Sequence, residues 1–240
     1  MNRIVALVAA TSSIALGACH WSSKAMEPGP DTSRNYALTG FSKIAVAGPF
    51  DVRVHPAGAA GVVAHGGQNV LDNSEIEIKG DTLLIKLKDN LGFHWKDRPT
   101  VTVDVGGAPA LAEASIAGSG KLALDQSTAS AFKGNVAGSG DLSIARLTTT
   151  SSDFSIAGSG SIRAAGTSGE VKANIAGSGD IDTSALQAQS ADASIAGSGN
   201  IKAHASGTAK AAIMGSGDIV VTGGATCDKS KMGSGTITCG

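Results

Sequence analysis

The sequence is poor in aromatic side chains, which make up 3% of its 240 residues. That excludes a large pocket walled by rings and leaves Ala, Val, Ile and Leu to build the core. Charge is scarce as well: 16% of residues are charged, and 19 basic against 20 acidic groups give a net charge of −1. Without clustered positive charge, neither nucleic acid nor an anionic membrane surface is the expected partner. No convincing amphipathic helix appears after the first 18 residues. No Gly-Lys-Ser/Thr opens a helix to cradle phosphate, and no Gly-x-Ser-x-Gly forms a nucleophile elbow. The histidines (His20, His55, His65, His94 and His204) are scattered without metal-ligand spacing. His55 and His65 could meet on neighbouring strands, but they read first as surface residues. The sequence therefore points to no catalytic residue, no metal and no cofactor.

Glycine is abundant, at 33 residues, and 42% of the chain is hydrophobic. The start reads as an export signal over residues 1–18, with Arg3 as the positive segment and Ile4 to Leu16 as an apolar run too short for a mature membrane span. It ends in Leu16-Gly17-Ala18-Cys19, which resembles a bacterial lipoprotein signal; that resemblance makes Cys19 the lipid-bearing first residue. The alternative is an ordinary cleavable signal ending near Ala15-Leu16-Gly17. His20 stands where enteric-type sorting would need Asp for inner-membrane retention, which by the same resemblance favours the outer membrane. A soluble periplasmic or secreted protein is the alternative. Cys227 and Cys239, twelve residues apart, are then a reasonable disulfide in an oxidising compartment, or else two free thiols.

Residues 19–36 are mostly polar and include Pro28 and Pro30, so they read as a flexible tether. From residue 37 the pattern becomes one of half-buried strands. Phe50, Val52 and Val54 alternate with Asp51, Arg53 and His55; Ile76 and Ile78 alternate with charged residues; Val101, Val103 and Val105 alternate with Thr102 and Asp104.

From residue 112 a repeat takes over. Gly-Ser-Gly begins at Gly118, Gly138, Gly158, Gly177, Gly197, Gly215 and Gly233, at spacings of 18 to 20 residues. A polar residue follows each turn (Lys121, Asp141, Ser161, Asp180, Asn200, Asp218, Thr236), and a branched aliphatic follows that. Six copies carry another aliphatic two places before the first Gly; the seventh carries Lys231. A single such unit cannot bury its apolar side, whereas stacked units line an interior with aliphatic columns. The expected fold is all-β: one right-handed parallel β-helix over residues 37–240, with coils of about twenty residues and less regular strands at its N-terminal end. The glycines suit a tight corner with positive φ and close backbone approach, and the serines could form a hydroxyl ladder along that edge. A β-propeller blade needs about twice this period, and leucine-rich repeats need Leu and Asn or Cys columns that are absent. Lys231 and the two cysteines fall in the last coil, where they would cap an open sheet edge.

Gly-Ser-Gly-Asp resembles part of a calcium-binding nonapeptide repeat, but that motif has a period of about nine. Asp141, Asp180 and Asp218 alternate with Ser161 and Asn200, so successive carboxylates would lie about 10 Å apart, too far to share an ion. Turn chemistry is the expected role. Phe93-His94-Trp95-Lys96 is an aromatic cluster that could contact a sugar or protein, or cover an end of the helix.

The order of these features resembles the bacterial head GIN domain family, described as auto-transporter adhesins. The body opens with Gly40-Phe41-Ser42-Lys43-Ile44-Ala45-Val46-Ala47-Gly48-Pro49-Phe50-Asp51-Val52-Arg53-Val54, continues through Asn69-Val70-Leu71 and Gly80-Asp81-Thr82-Leu83-Leu84-Ile85, and gives way to coils such as Gly177-Ser178-Gly179-Asp180-Ile181. The resemblance covers roughly residues 40–237. It implies a right-handed β-helix in the cell envelope. The expected role is structural or adhesive and non-catalytic, with the lipid anchor as the only hold on the membrane and an envelope protein or surface glycan as partner. Two other function classes compete: a polysaccharide-acting β-helix enzyme and a periplasmic scaffold. A cluster of Asp, Lys and Arg converging on one face would favour the enzyme.

Overall fold

The structure, a computed structural model, describes residues 27–56, 59–88, 101–108 and 110–240. In chain order it runs β1 (Asp31–Tyr36), β2 (Lys43–Ala47), β3 (Phe50–His55), β4 (Gly61–Gly67), α1 (Gln68–Asp72), β5 (Ser74–Lys79), β6 (Thr82–Leu87), β7 (Val101–Gly106), β8 (Glu113–Gly118), β9 (Lys121–Leu124) and β10 (Ala131–Gly138). Then come β11 (Asp141–Gly158), β12 (Ser161–Gly177), β13 (Asp180–Gly197), β14 (Asn200–His204), β15 (Thr208–Gly215), β16 (Asp218–Thr222), β17 (Thr226–Gly233) and β18 (Thr236–Cys239). The strands stack in parallel coils, giving the all-β solenoid that the repeat requires.

Two long faces meet at the Gly-Ser-Gly corner. Before the corner, the aliphatic column Ile116, Val136, Ile156, Ile175, Ile195 and Ile213 is in register from coil to coil. After it, Leu122, Leu142, Ile162, Ile181, Ile201, Ile219 and Ile237 stack in the same way. All but Ile237 are buried, each contributing roughly 1.5–3 kcal/mol of transfer free energy. Among the described aromatics, Phe50, Phe132 and Phe154 are buried, and the rings of Phe132 and Phe154 have centroids 6.2 Å apart.

The two glycines of the corner are needed for different reasons. The first has positive φ, for instance +127° at Gly158, which disfavours a side chain. The second is buried, and a Cβ at Gly160 would lie 2.4 Å from the Gly140 carbonyl oxygen of the preceding coil. The ladder along this edge is built from backbone: the Ser159 N–H donates to the Gly138 carbonyl at 2.8 Å, and the Ser198 N–H to Gly177 at 2.9 Å. The serine side chains of the corner point to solvent instead of forming the expected hydroxyl ladder.

The drift in coil length is absorbed away from both long faces. Register shifts fall between Ile144 and Leu147 and between Arg163 and Ala165, in the return side of the coil. There Gly166, at φ +130°, brings its backbone so close that a Cβ would meet the Leu147 carbonyl oxygen at 2.1 Å.

The N-terminal end departs from sequence order. The coil of β2 and β3 lies between that of β6 and β7 and that of β8 and β9. Its corner is Gly48-Pro49-Phe50, with Gly48 at φ +120° in place of the first repeat glycine. Antiparallel strands close this end: β5 on β6, β4 on β7, and β1 on β4. Two expectations change here. Residues 31–36, placed within the flexible tether, form edge strand β1, whose Arg34 is paired with Asp72. A short helix, α1, occurs where no helix was expected; its Val70 and Leu71 are buried, so the Asn69-Val70-Leu71 segment plugs the coil end.

Candidate functional site

The face before the corner carries a column of alternating charge that was not picked out from the sequence: Lys43, Glu113, Lys133, Asp153, Lys172, Asp192, Lys210 and Asp228. Each lies in register with its neighbour one coil away, so the six inner members have an opposite charge on either side, the arrangement that cross-strand electrostatics favours, while Lys43 has Thr82 on its other side and an ion pair to Asp81 at 3.1 Å. Beside it run a column of Ser and Asn with Ala45 and Ala212, and then Ala47, Ala117, Ala137, Ala157, Ala176, Ala196, Met214 and Met232. The two methionines are 62% and 70% exposed, the large hydrophobic side chains most open to solvent among the described residues.

The face after the corner is polar in a different way. The post-turn column reads Asp51, Lys121, Asp141, Ser161, Asp180, Asn200, Asp218 and Thr236. Each repeat Asp has a donor in the following coil. Ser161 Oγ–H donates to Asp141 Oδ1 at 2.6 Å, Asn200 Nδ2–H to Asp180 Oδ1 at 2.8 Å, and the Thr236 N–H to Asp218 Oδ1 at 2.8 Å. The carboxylates that resembled a calcium motif are thus engaged in coil-to-coil hydrogen bonds.

The next column brings together Arg163, Asp182 and Lys202 on successive coils. With Asp180 and Asn200 they line a shallow groove of about 280 Å³. This is the convergence of Asp, Lys and Arg named above as the mark of an enzyme, so its protonation state matters. Burial pushes the Asp182 carboxyl up. Hydrogen bonds from the Ser184 hydroxyl (2.6 Å) and N–H (3.1 Å), with the charges of Lys202 and Arg163, outweigh that and hold it below the usual carboxylate range. Asp182 is therefore a fixed anion, the opposite of the raised carboxyl that general-acid chemistry on sugars needs.

A third group lies at the N-terminal end. His55 Nδ1 is 2.6 Å from Asp125 Oδ2, while His55 Nε2 and His65 Nε2 stand 4.0 and 3.9 Å from the two oxygens of Asp104. His55 and His65 do not lie on neighbouring strands: β7 runs between β3 and β4, and both rings approach its Asp104 from either side. No group of three His, Cys, Asp or Glu side chains among the described residues is placed to hold a metal ion. His204 packs against the corner near Gly223. Cys227 and Cys239 are joined in a disulfide that ties β17 to β18 in the last coil. Cys19, His20 and the Phe93-His94-Trp95-Lys96 cluster lie outside the described residues.

Residues 40–225 match the family described as "Putative auto-transporter adhesin, head GIN domain". A "putative lipid binding protein" of Parabacteroides distasonis is similar in structure, with a TM-score of 0.71 and 26% identity over 90% of this chain and 100% of that one. A "putative adhesin" of Bacteroides fragilis has a TM-score of 0.74 at 21% identity, covering 89% of this chain and 99% of its own. Another, from Parabacteroides merdae, has a TM-score of 0.67 at 20% identity over 90% of this chain and 98% of its own. No curated protein matches the chain.

Proposed function

The chain belongs to the head GIN domain family, and from that premise we propose that it is an exported, non-catalytic binding module of the cell envelope, adhesive in role and anchored to the outer membrane through a lipid on Cys19. The observation that carries the binding role is the groove of Arg163, Asp182 and Lys202. Its charges are fixed by neighbours on rigid, stacked strands, and Asp182 stays ionised. Such a surface recognises a polar partner through preset charged and hydrogen-bonding groups, at little ordering cost, and its Asp182 is held as an anion rather than as a general acid. A surface glycan or the polar face of an envelope protein fits it. The names of the related structures, adhesins and a lipid-binding protein, support binding over catalysis.

The test is a glycan array, with capture from solubilised envelope extracts run beside it, using wild type and the double variant Arg163→Ser/Lys202→Ser. Retention of a defined glycan or envelope protein by wild type, weakened at least tenfold in the variant, supports the reading. Capture of an envelope protein without glycan retention assigns the scaffold role. Release of sugar fragments from the array overturns the non-catalytic reading.

A further inference from the structure

The alternating column on the face before the corner is self-complementary in one orientation. Its eight charged members begin with Lys43 and end with Asp228; beyond Lys43 the face continues into β6, which carries the uncharged Thr82 at that position and stays outside the matched eight coils. If a second copy lies face to face and runs in the opposite sense, the first coil meets the eighth, the second the seventh, and so on. Lys43 then faces Asp228, Glu113 faces Lys210, Lys133 faces Asp192, and Asp153 faces Lys172, so all eight positions pair opposite charges. If the two copies run in the same sense, every charge faces its like. An alternating series of even length discriminates between the two orientations in this way, and like-charge juxtaposition is what suppresses the wrong one.

Shape follows the same rule. In the antiparallel arrangement Met232 falls opposite Ala47 and Met214 opposite Ala117, the two largest exposed apolar side chains against two of the smallest. At that end of the face lies a shallow apolar groove of about 280 Å³, whose lining includes Ala47, Ala117 and Ala137. In the middle, Ala157 faces Ala176, which lets the two sheets approach closely. Eight strands at ~4.8 Å spacing and strands of about seven residues give a face of roughly 800 Å² per copy, the size of a standard specific interface.

We propose that this face joins two copies of the chain in an antiparallel, two-fold symmetric dimer. The groove of Arg163 and Lys202 lies on the other long face, so the dimer leaves two such grooves uncovered. Two binding sites on one particle raise avidity for a multivalent surface.

The full chain is tested by sedimentation velocity and zero-length carbodiimide cross-linking with peptide mass mapping. Wild type is expected to sediment with twice the monomer mass at micromolar concentration. Its cross-links are expected to join Glu113 to Lys210 and Lys43 to Asp228, residues roughly 24 and 34 Å apart within one chain, which two antiparallel copies bring together. Ala176→Arg, an exposed change, is expected to leave the circular dichroism and the melting of the dilute monomer unchanged and weaken the dimer at least tenfold, whereas Ser143→Arg on the other face leaves it intact. A monomer at all concentrations, a dimer that survives Ala176→Arg, or a dimer cross-linked only between neighbouring coils overturns the proposal.

Discussion

Asn200 occupies, one coil further on, the place that Asp180 holds, and its side-chain amide donates to the Asp180 carboxylate at 2.8 Å. The same pairing of an acid with a neutral donor recurs at Asp141 with Ser161 and at Asp218 with Thr236. The stack thus tolerates a column of carboxylates by never placing two in adjacent coils. Asn200→Asp would create three in succession. Like charges in adjacent strands raise the folded-state carboxyl pKa values, so the penalty exists where the groups are ionised. We expect a loss of about 1 kcal/mol at pH 7 that fades as pH falls toward 4, measured by urea unfolding across pH.

Gly160→Ala places a methyl carbon 2.4 Å from the Gly140 carbonyl oxygen and 2.6 Å from Val136 Cγ1. Neither neighbour can retreat without parting the coils. The expected cost is about 2 kcal/mol or more, seen as a lower denaturation midpoint, while Ser159→Ala at the solvent-facing position changes it by less than about 0.5 kcal/mol.

Much of this architecture was legible in the sequence because stacking makes each residue type recur at one place. The aliphatic columns, the glycine corner and the terminal position of Lys231 could be read directly. The charge column is hidden in the sequence because its sign reverses from one coil to the next, its acids are both Glu and Asp, and it begins at Lys43, outside the repeat, in a coil that joins the stack out of sequence order. The groove was equally hidden. Arg163, Asp182 and Lys202 belong to coils of different length, and counting residues does not reveal that the drift is taken up beyond them at the return corner. Strand β1 reads as tether because five of its six residues are polar and it pairs at an edge, where no buried pattern is imposed.

Asp182 supplies a pH signature. Its folded-state carboxyl lies below the unfolded value, taken as 3.8. Its contribution to stability is therefore present above that value and lost as pH falls through the folded one. Asp182→Asn is expected to flatten the acid limb of the stability curve below about pH 4 and leave its slope near pH 7 unchanged.

Reducing the Cys227–Cys239 disulfide opens a loop with a sequence separation of 12, for which chain entropy gives about 3 kcal/mol. Strands β17 and β18 pair with β15 and β16 alone among the described strands, so the effect is expected to be local. Amide exchange over residues 226–239 is expected to accelerate on reduction, with the coils between residues 141 and 197 unaffected.

Cys19→Ser tests the anchor. Metabolic labelling with a radioactive fatty acid should mark the wild-type protein and not the variant, and the variant should move from the membrane to the soluble exported fraction.

The most direct test of the account is the glycan array probed with wild type and Arg163→Ser/Lys202→Ser, with released sugar assayed from the same wells. The account predicts selective retention that depends on the two basic residues, with no release. Turnover of any bound polysaccharide, or retention undiminished in the double variant, would contradict it.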